Sequence, residues 1–146
     1  MASLHSPPDA TNAYPLSALF VPFPFVCFVL TLLTDILYWQ TSHLMWSNFS
    51  DWLLFFGLVG GALSVIAGLI DLARPATRIL RPRLPAVIAY VVALLLGILN
   101  SFIHAGDGWT AIVPYGLVCS AVTVVVIIVC LALTAGQRAA TAWRTP

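Results

Sequence analysis

The stretch WLLFFGLVGGALSVIAGLIDL, residues 52–72, decides the fold. It carries no charged side chain until Asp71, and its apolar residues run continuously instead of alternating. A helix rises about 1.5 Å per residue, so roughly 20 apolar residues cross the hydrocarbon core of a bilayer. A half-buried strand would alternate with a period of two, and an open sheet leaves backbone polar groups unsatisfied in lipid. The reading is therefore a membrane-spanning helix. Its glycines support this. Gly57, Gly61, Ser64 and Gly68 fall on one face with Gly60 beside them, and lipid-embedded helices associate by such close backbone approach.

Three further stretches repeat the pattern, at about residues 16–39, 85–104 and 112–134. The expected fold is all-α: a polytopic membrane protein with four transmembrane helices in an antiparallel bundle. Residues 15–135 form the transmembrane domain. Residues 1–14, with Pro7, Pro8, Asp9 and Asn12 but neither Lys nor Arg, read as a disordered tail, since a cleaved signal would begin with a basic segment. Residues 136–146 read as a cytoplasmic C-terminal tail. In the first span Pro22 and Pro24 remove backbone donors, so the helix is expected to begin near Pro22 or to bend there.

Composition agrees. Of 146 residues, 61% are hydrophobic and only 8% charged, against about 25% charged in a soluble domain. Mean hydropathy is +1.02. Low charge and high hydrophobicity exclude intrinsic disorder. A net charge of +1 with no basic stripe on a soluble fold excludes a nucleic-acid binder. Cys27, Cys119 and Cys130 lie in apolar runs without C-x-x-C spacing and read as small packing residues.

Every basic residue is an arginine. Arg74, Arg78, Arg81 and Arg83 fill the connection between spans two and three, and Arg138 and Arg144 follow span four. The connections around His43 and Asp107 contain no Lys or Arg. The positive-inside rule then places both termini in the cytoplasm, the N-in/C-in arrangement. Trp39, Trp46, Trp52 and Trp109 gather at the opposite, outer ends, where an indole has an apolar body and a wet N–H.

Two other faces continue as small or polar seams: Ala93, Gly97, Asn100 and His104 on span three, and Gly116, Ser120, Thr123, Ile127, Cys130 and Thr134 on span four. The seams should meet inside the bundle. Ionisable groups within spans are functional candidates because they are costly there. Asp71 ends span two, with Arg74 and Arg78 three and seven residues on as expected partners. Asp35, near the outer end of span one, is the expected recipient of a hydrogen bond from Asn100.

At that outer end His43, His104, Asp35, Asp51 and Asp107 fall at one depth. Imidazole and carboxylate suit a transition metal, and two histidines suit a haem b. His43 and His104 are thus the candidate cofactor ligands. No H-x-x-x-H, H-E-x-x-H or C-x-x-C-H pattern accompanies them. Catalytic signatures are missing as well: there is no Glu, no Lys and no G-x-S-x-G, which removes Glu-based acid–base pairs, P-loops and Schiff bases. Asn48-Phe49-Ser50 reads as a chance glycosylation sequon.

Val21-Pro22-Phe23-Pro24-Phe25, Thr34-Asp35-Ile36-Leu37-Tyr38, Gly68-Leu69-Ile70-Asp71, Asn100 and the run from Pro114-Tyr115-Gly116 to Leu117-Val118-Cys119-Ser120 together resemble a bacterial membrane family catalogued as domain of unknown function 2231. The resemblance covers about residues 14–133. It departs at Tyr14-Pro15, where the family often has His-Pro, and at Ala135-Gly136-Gln137-Arg138, where it tends to a Gly-Gly motif. It implies a four-span protein of the bacterial inner membrane without an assigned reaction. The expected role is an accessory or structural subunit, contacting the lipid bilayer and other membrane subunits or its own copies. The alternative is an electron-transfer protein holding haem b or a metal at His43 and His104; a proton or small-solute carrier using Asp35 and Asp71 is the weakest reading, because the two carboxylates sit at opposite ends with no relay between them.

Overall fold

The computed structural model describes residues 14–75, 77, 81–106 and 111–142, the side chains of 111 and 138–142 excepted. The described residues are mostly helical and contain no strand. A short turn, α1 (Ser17–Phe20), leads through Val21 into α2 (Pro22–Thr41). Then come α3 (Leu44–Ala73), α4 (Leu84–His104) and α5 (Leu117–Ala142). Four stretches are long and apolar enough to cross a membrane: Ser17–Thr41, Leu44–Ala73, Leu84–His104 and Ile112–Gln137.

Helices α2 to α5 stand around a square in chain order, α2 beside α3, α3 beside α4, α4 beside α5, and α5 closing on α2. The centre is Phe28, 2% exposed, which spans the diagonal. Its ring lies where a Cβ on Gly57 of α3 or Gly97 of α4 would come within 2.8 Å or 2.5 Å of it. Phe25, Leu54, Ala93, Ile127 and Cys130 close the core around it. Leucine, valine and isoleucine cover the outside, as expected where the solvent is lipid. Trp52 stacks on Phe56 on that outer surface.

Several boundaries differ from the sequence reading. The start of the long first helix does not: α2 begins at Pro22, where the missing N–H is no loss, after a short turn whose flanking Leu16 and Val21 already have α-helical backbone angles. The second helix starts at Leu44, eight residues before the apolar run, so Ser47, Ser50 and Asp51 are helical. What read as a loop at His43 is a tight reversal. Ser42 takes left-handed φ (56°) and donates its N–H to Tyr38 O at 2.7 Å, and His43 stands in extended conformation before α3. Before α5, residues Ala111–Gly116 make a wide turn that leaves helical geometry at Val113. At the other end α5 runs on to Ala142. The proposed N-terminal tail lies almost wholly outside the described residues.

The seams hold in most places. Gly116, just before α5, and Ser120, Thr123, Ile127 and Cys130 along it are buried, as are Ala93, Gly97, Asn100 and His104 along α4. Gly61 faces Leu94 of α4. Gly68 is the exception: a Cβ there would meet nothing within 4 Å, because the face has turned away from its neighbours by that level. Farther in, the Ser64 and Tyr90 hydroxyls hydrogen-bond across α3 and α4.

Candidate functional site

Each of the four helices brings a polar side chain to one point at the arginine-free end. Asp35 of α2 is at the centre and wholly buried. The tight Ser42–His43 reversal lays the second turn of α3 against the later half of α2. Ser50 of α3 thereby donates its hydroxyl proton to Asp35 Oδ1 at 2.6 Å. Ser120 of α5 donates to Oδ2 at 2.6 Å. His104, the last residue of α4, places Nε2 3.0 Å from Oδ1. Behind these, Thr34 Oγ1 lies 2.8 Å from Ser50 Oγ, and Asn100 Nδ2 donates to Ser120 Oγ at 2.7 Å.

Donor and acceptor inventories fix most protons. The Asp35 carboxylate only accepts when ionised, so the single protons of Ser50 and Ser120 point to it. Ser120 therefore accepts from Asn100, which orients that amide and leaves Asn100 Oδ1 buried without a partner. His104 Nδ1 lies 3.0 Å from the Asn100 backbone carbonyl. A carbonyl can only accept, so Nδ1 carries hydrogen. The remaining proton lies between Nε2 and Asp35 Oδ1.

The expected direct bond from Asn100 to Asp35 is thus replaced by a two-step path through Ser120. Asn100 does face the bundle interior, 2% exposed. The two candidate histidines are differently placed. His104 is buried, whereas His43 is exposed at the reversal before α3. Both His104 nitrogens are engaged, so neither offers a lone pair outward as the ring stands. Among the described residues no group of three or more His, Cys, Asp or Glu is arranged to hold a metal. Asp107 lies outside the described residues.

His104 also borders a cleft of about 350 Å³, lined by Tyr38, Leu44, Ser47, Asp51, His104, Ala105, Gly106 and Ile112. Asp51 is exposed and lies near enough to His104 and Asp35 to interact electrostatically with both.

Asp71 is at the opposite end, and its partners are not the expected ones. Its carboxylate accepts the N–H of Leu16 at 3.0 Å, the N–H of Ser17 at 2.8 Å and the Ser17 hydroxyl at 2.8 Å. Arg74 is close enough to act on it electrostatically without forming an ion pair, and Arg78 lies outside the described residues. A helix start exposes unpaired N–H groups and the positive end of the helix dipole, and both are satisfied by a carboxylate acceptor.

Sequence reasoning passed over Ser50. The signal was its position seven residues before Gly57, which extends the α3 seam by two turns. The polar cluster Ser47, Asn48, Ser50 and Asp51 hid it by ending the apolar run early.

The model of the family described as predicted membrane protein (DUF2231) matches residues 13–145. No curated protein and no solved structure matches the chain. The matched region takes in all four spanning helices and every residue of the Asp35 cluster, so the chain belongs to the DUF2231 family of predicted membrane proteins.

Proposed function

We propose that this chain is a multi-pass protein of the bacterial inner membrane that performs no reaction of its own and serves as an accessory or structural subunit. Both termini are placed in the cytoplasm, and its partners are other membrane subunits or further copies of itself. One observation carries the reading. The Asp35 cluster turns hydroxyl, amide, carboxyl and imidazole groups from all four helices toward one another, which ties the bundle into one unit and leaves a lateral surface of aliphatic and aromatic side chains. Such a surface suits lipid and other apolar helices. The haem or metal reading asks His104 to leave Asp35 or Asn100, and asks the exposed His43 to come to it.

The test is photo-crosslinking in the native membrane from the lipid-facing positions Phe55 and Ile128. A discrete higher-mass complex, of one identifiable partner or of two copies, is expected. A chain that stays monomeric at every position overturns the subunit role. Oxidised and reduced absorption spectra of the purified protein address the electron-transfer reading, which a Soret band would restore.

A further inference from the structure

We propose that the Asp35–His104 pair is a proton-binding site that exchanges with the aqueous phase at one face of the membrane only, through the cleft whose wall carries Asp51. This goes beyond the subunit role and does not depend on it.

The geometry requires the proton. With Nδ1–H held by the Asn100 carbonyl, the 3.0 Å contact between Nε2 and Asp35 Oδ1 is a hydrogen bond only if one further proton lies between them. Two forms satisfy it: imidazolium against carboxylate, or imidazole against carboxylic acid. Both are neutral overall. The hydroxyls of Ser50 and Ser120, both donating to the carboxylate, favour the first. Without the proton, a carboxylate at the centre of the bundle faces a ring lone pair. Among the described residues no other cation is at hand: the arginine side chains of Arg74, Arg81 and Arg83 belong to the connection between α3 and α4 at the other end. Other titratable groups facing the pair are Tyr38 from α2, Asp51 from α3 and Cys119 from α5, while α4 brings only His104 itself.

Access is one-sided. Toward the arginine-bearing end the pair is backed by Phe28, Leu54, Ala93 and Ile127, each no more than 2% exposed. Toward the near end His104 adjoins the cleft, with Asp51 and the Ser47 hydroxyl in its wall. Release proceeds when the ring parts from Asp35 Oδ1 and turns toward the cleft. The Nε2–H bond breaks, the electron pair stays on Nε2, and the proton passes to cleft water or to the Asp51 carboxylate. The pair goes from neutral to a single negative charge. Uptake reverses each step, and Asp51 attracts the incoming proton.

The experiment uses the full chain in lipid nanodiscs, with His5→Gln and His43→Gln leaving His104 as the sole histidine, labelled with nitrogen-15. Expected is a ring protonated at both nitrogens near neutral pH, with one proton lost on alkalinisation. Infrared difference spectra on oriented proteoliposomes then follow a pH step applied from one side. A response to the cleft side alone is expected, and Asp51→Asn should slow it without changing its end states. Asp35→Asn should abolish the doubly protonated signal. If that variant does not fold, the titration of the chain that retains Asp35 still decides. A singly protonated ring beside an ionised Asp35, or an equal response to both sides, overturns the proposal.

Discussion

Asp71 closes the amino end of a helix that begins 54 residues before it in the chain. Its two carboxylate oxygens receive the N–H groups of Leu16 and Ser17 and the Ser17 hydroxyl, so the last turn of α3 caps the first spanning helix. A cap drawn from another helix fixes the ends of two helices at one level, which a local serine or aspartate would not do. Asp71→Ala should cost about 0.5–2 kcal/mol, the range for loss of an N-cap. Asp71→Asn, which retains an acceptor oxygen, should cost less. Unfolding in mixed micelles measures the difference, and amide exchange at Leu16 and Ser17 should accelerate in both variants. Unchanged exchange at those amides would show that the cap is not holding the segment.

Phe28 sets how the glycines behave. Gly97→Ala puts a Cβ 2.5 Å from Phe28 Cζ, and Gly57→Ala puts one 2.8 Å from Phe28 Cε1 and 3.0 Å from Cys27 Cβ. Overpacking of this kind costs about 1–3 kcal/mol. Gly68→Ala meets nothing within 4 Å and should stay within about 0.5 kcal/mol of the parent, as surface substitutions do. Phe28→Leu combined with Gly97→Ala should recover part of the loss. Equal effects at Gly97 and Gly68 would remove Phe28 from the centre of the argument.

Removing the imidazole from the buried pair should be the most damaging change in the cluster. His104→Ala leaves the buried Asp35 carboxylate with its two serine hydroxyls but without a counter-charge, at a cost of about 3–5 kcal/mol. Ser120→Ala removes one hydrogen bond to Asp35 and one from Asn100; intramembrane bonds reach about 1.7 kcal/mol each. The double variant Asp35→Ala with His104→Ala should lose less than the two single variants summed, because neither charge is then left alone. Additivity across that cycle would mean that the two side chains are not coupled.

Orientation is open to a direct measurement. A reporter active only outside the cytoplasm, fused after Gly106, should be active, and the same reporter fused after Gln137 should be silent. The expectation rests on six arginines in the connection after α3 and in the C-terminal segment. The reverse pattern would invert the topology and the face that the cleft addresses.

Much of the fold is legible because lipid imposes a simple rule. Backbone groups must pair within a segment, so an unbroken apolar run of the right length is a helix and its small residues mark the seam. That logic finds four spans and places Asn100, His104 and Ser120 on inward faces. It fails where polar chemistry sits inside a helix. Ser47, Asn48, Ser50 and Asp51 end the apolar run because they are polar, yet they are helical, and Ser50 meets Asp35 from there. It fails again at Asp71, since an arginine three residues away is visible in a sequence and a backbone N–H 55 residues away is not. The assignment of Asp35 to His104 likewise depends on a contact across the diagonal of the square, which periodicity along one helix does not encode.

The reversal at Ser42 and His43 bears on how the chain is built. With so little chain between them, α2 and α3 form a closed hairpin. The Ser50–Asp35 bond is internal to that hairpin, spanning 15 residues, whereas His104 and Ser120 follow Asp35 by 69 and 85. The first hairpin by itself holds its acid with one hydroxyl and supplies no base. The second hairpin is what completes it, so the two halves of the bundle meet at a group that neither satisfies alone.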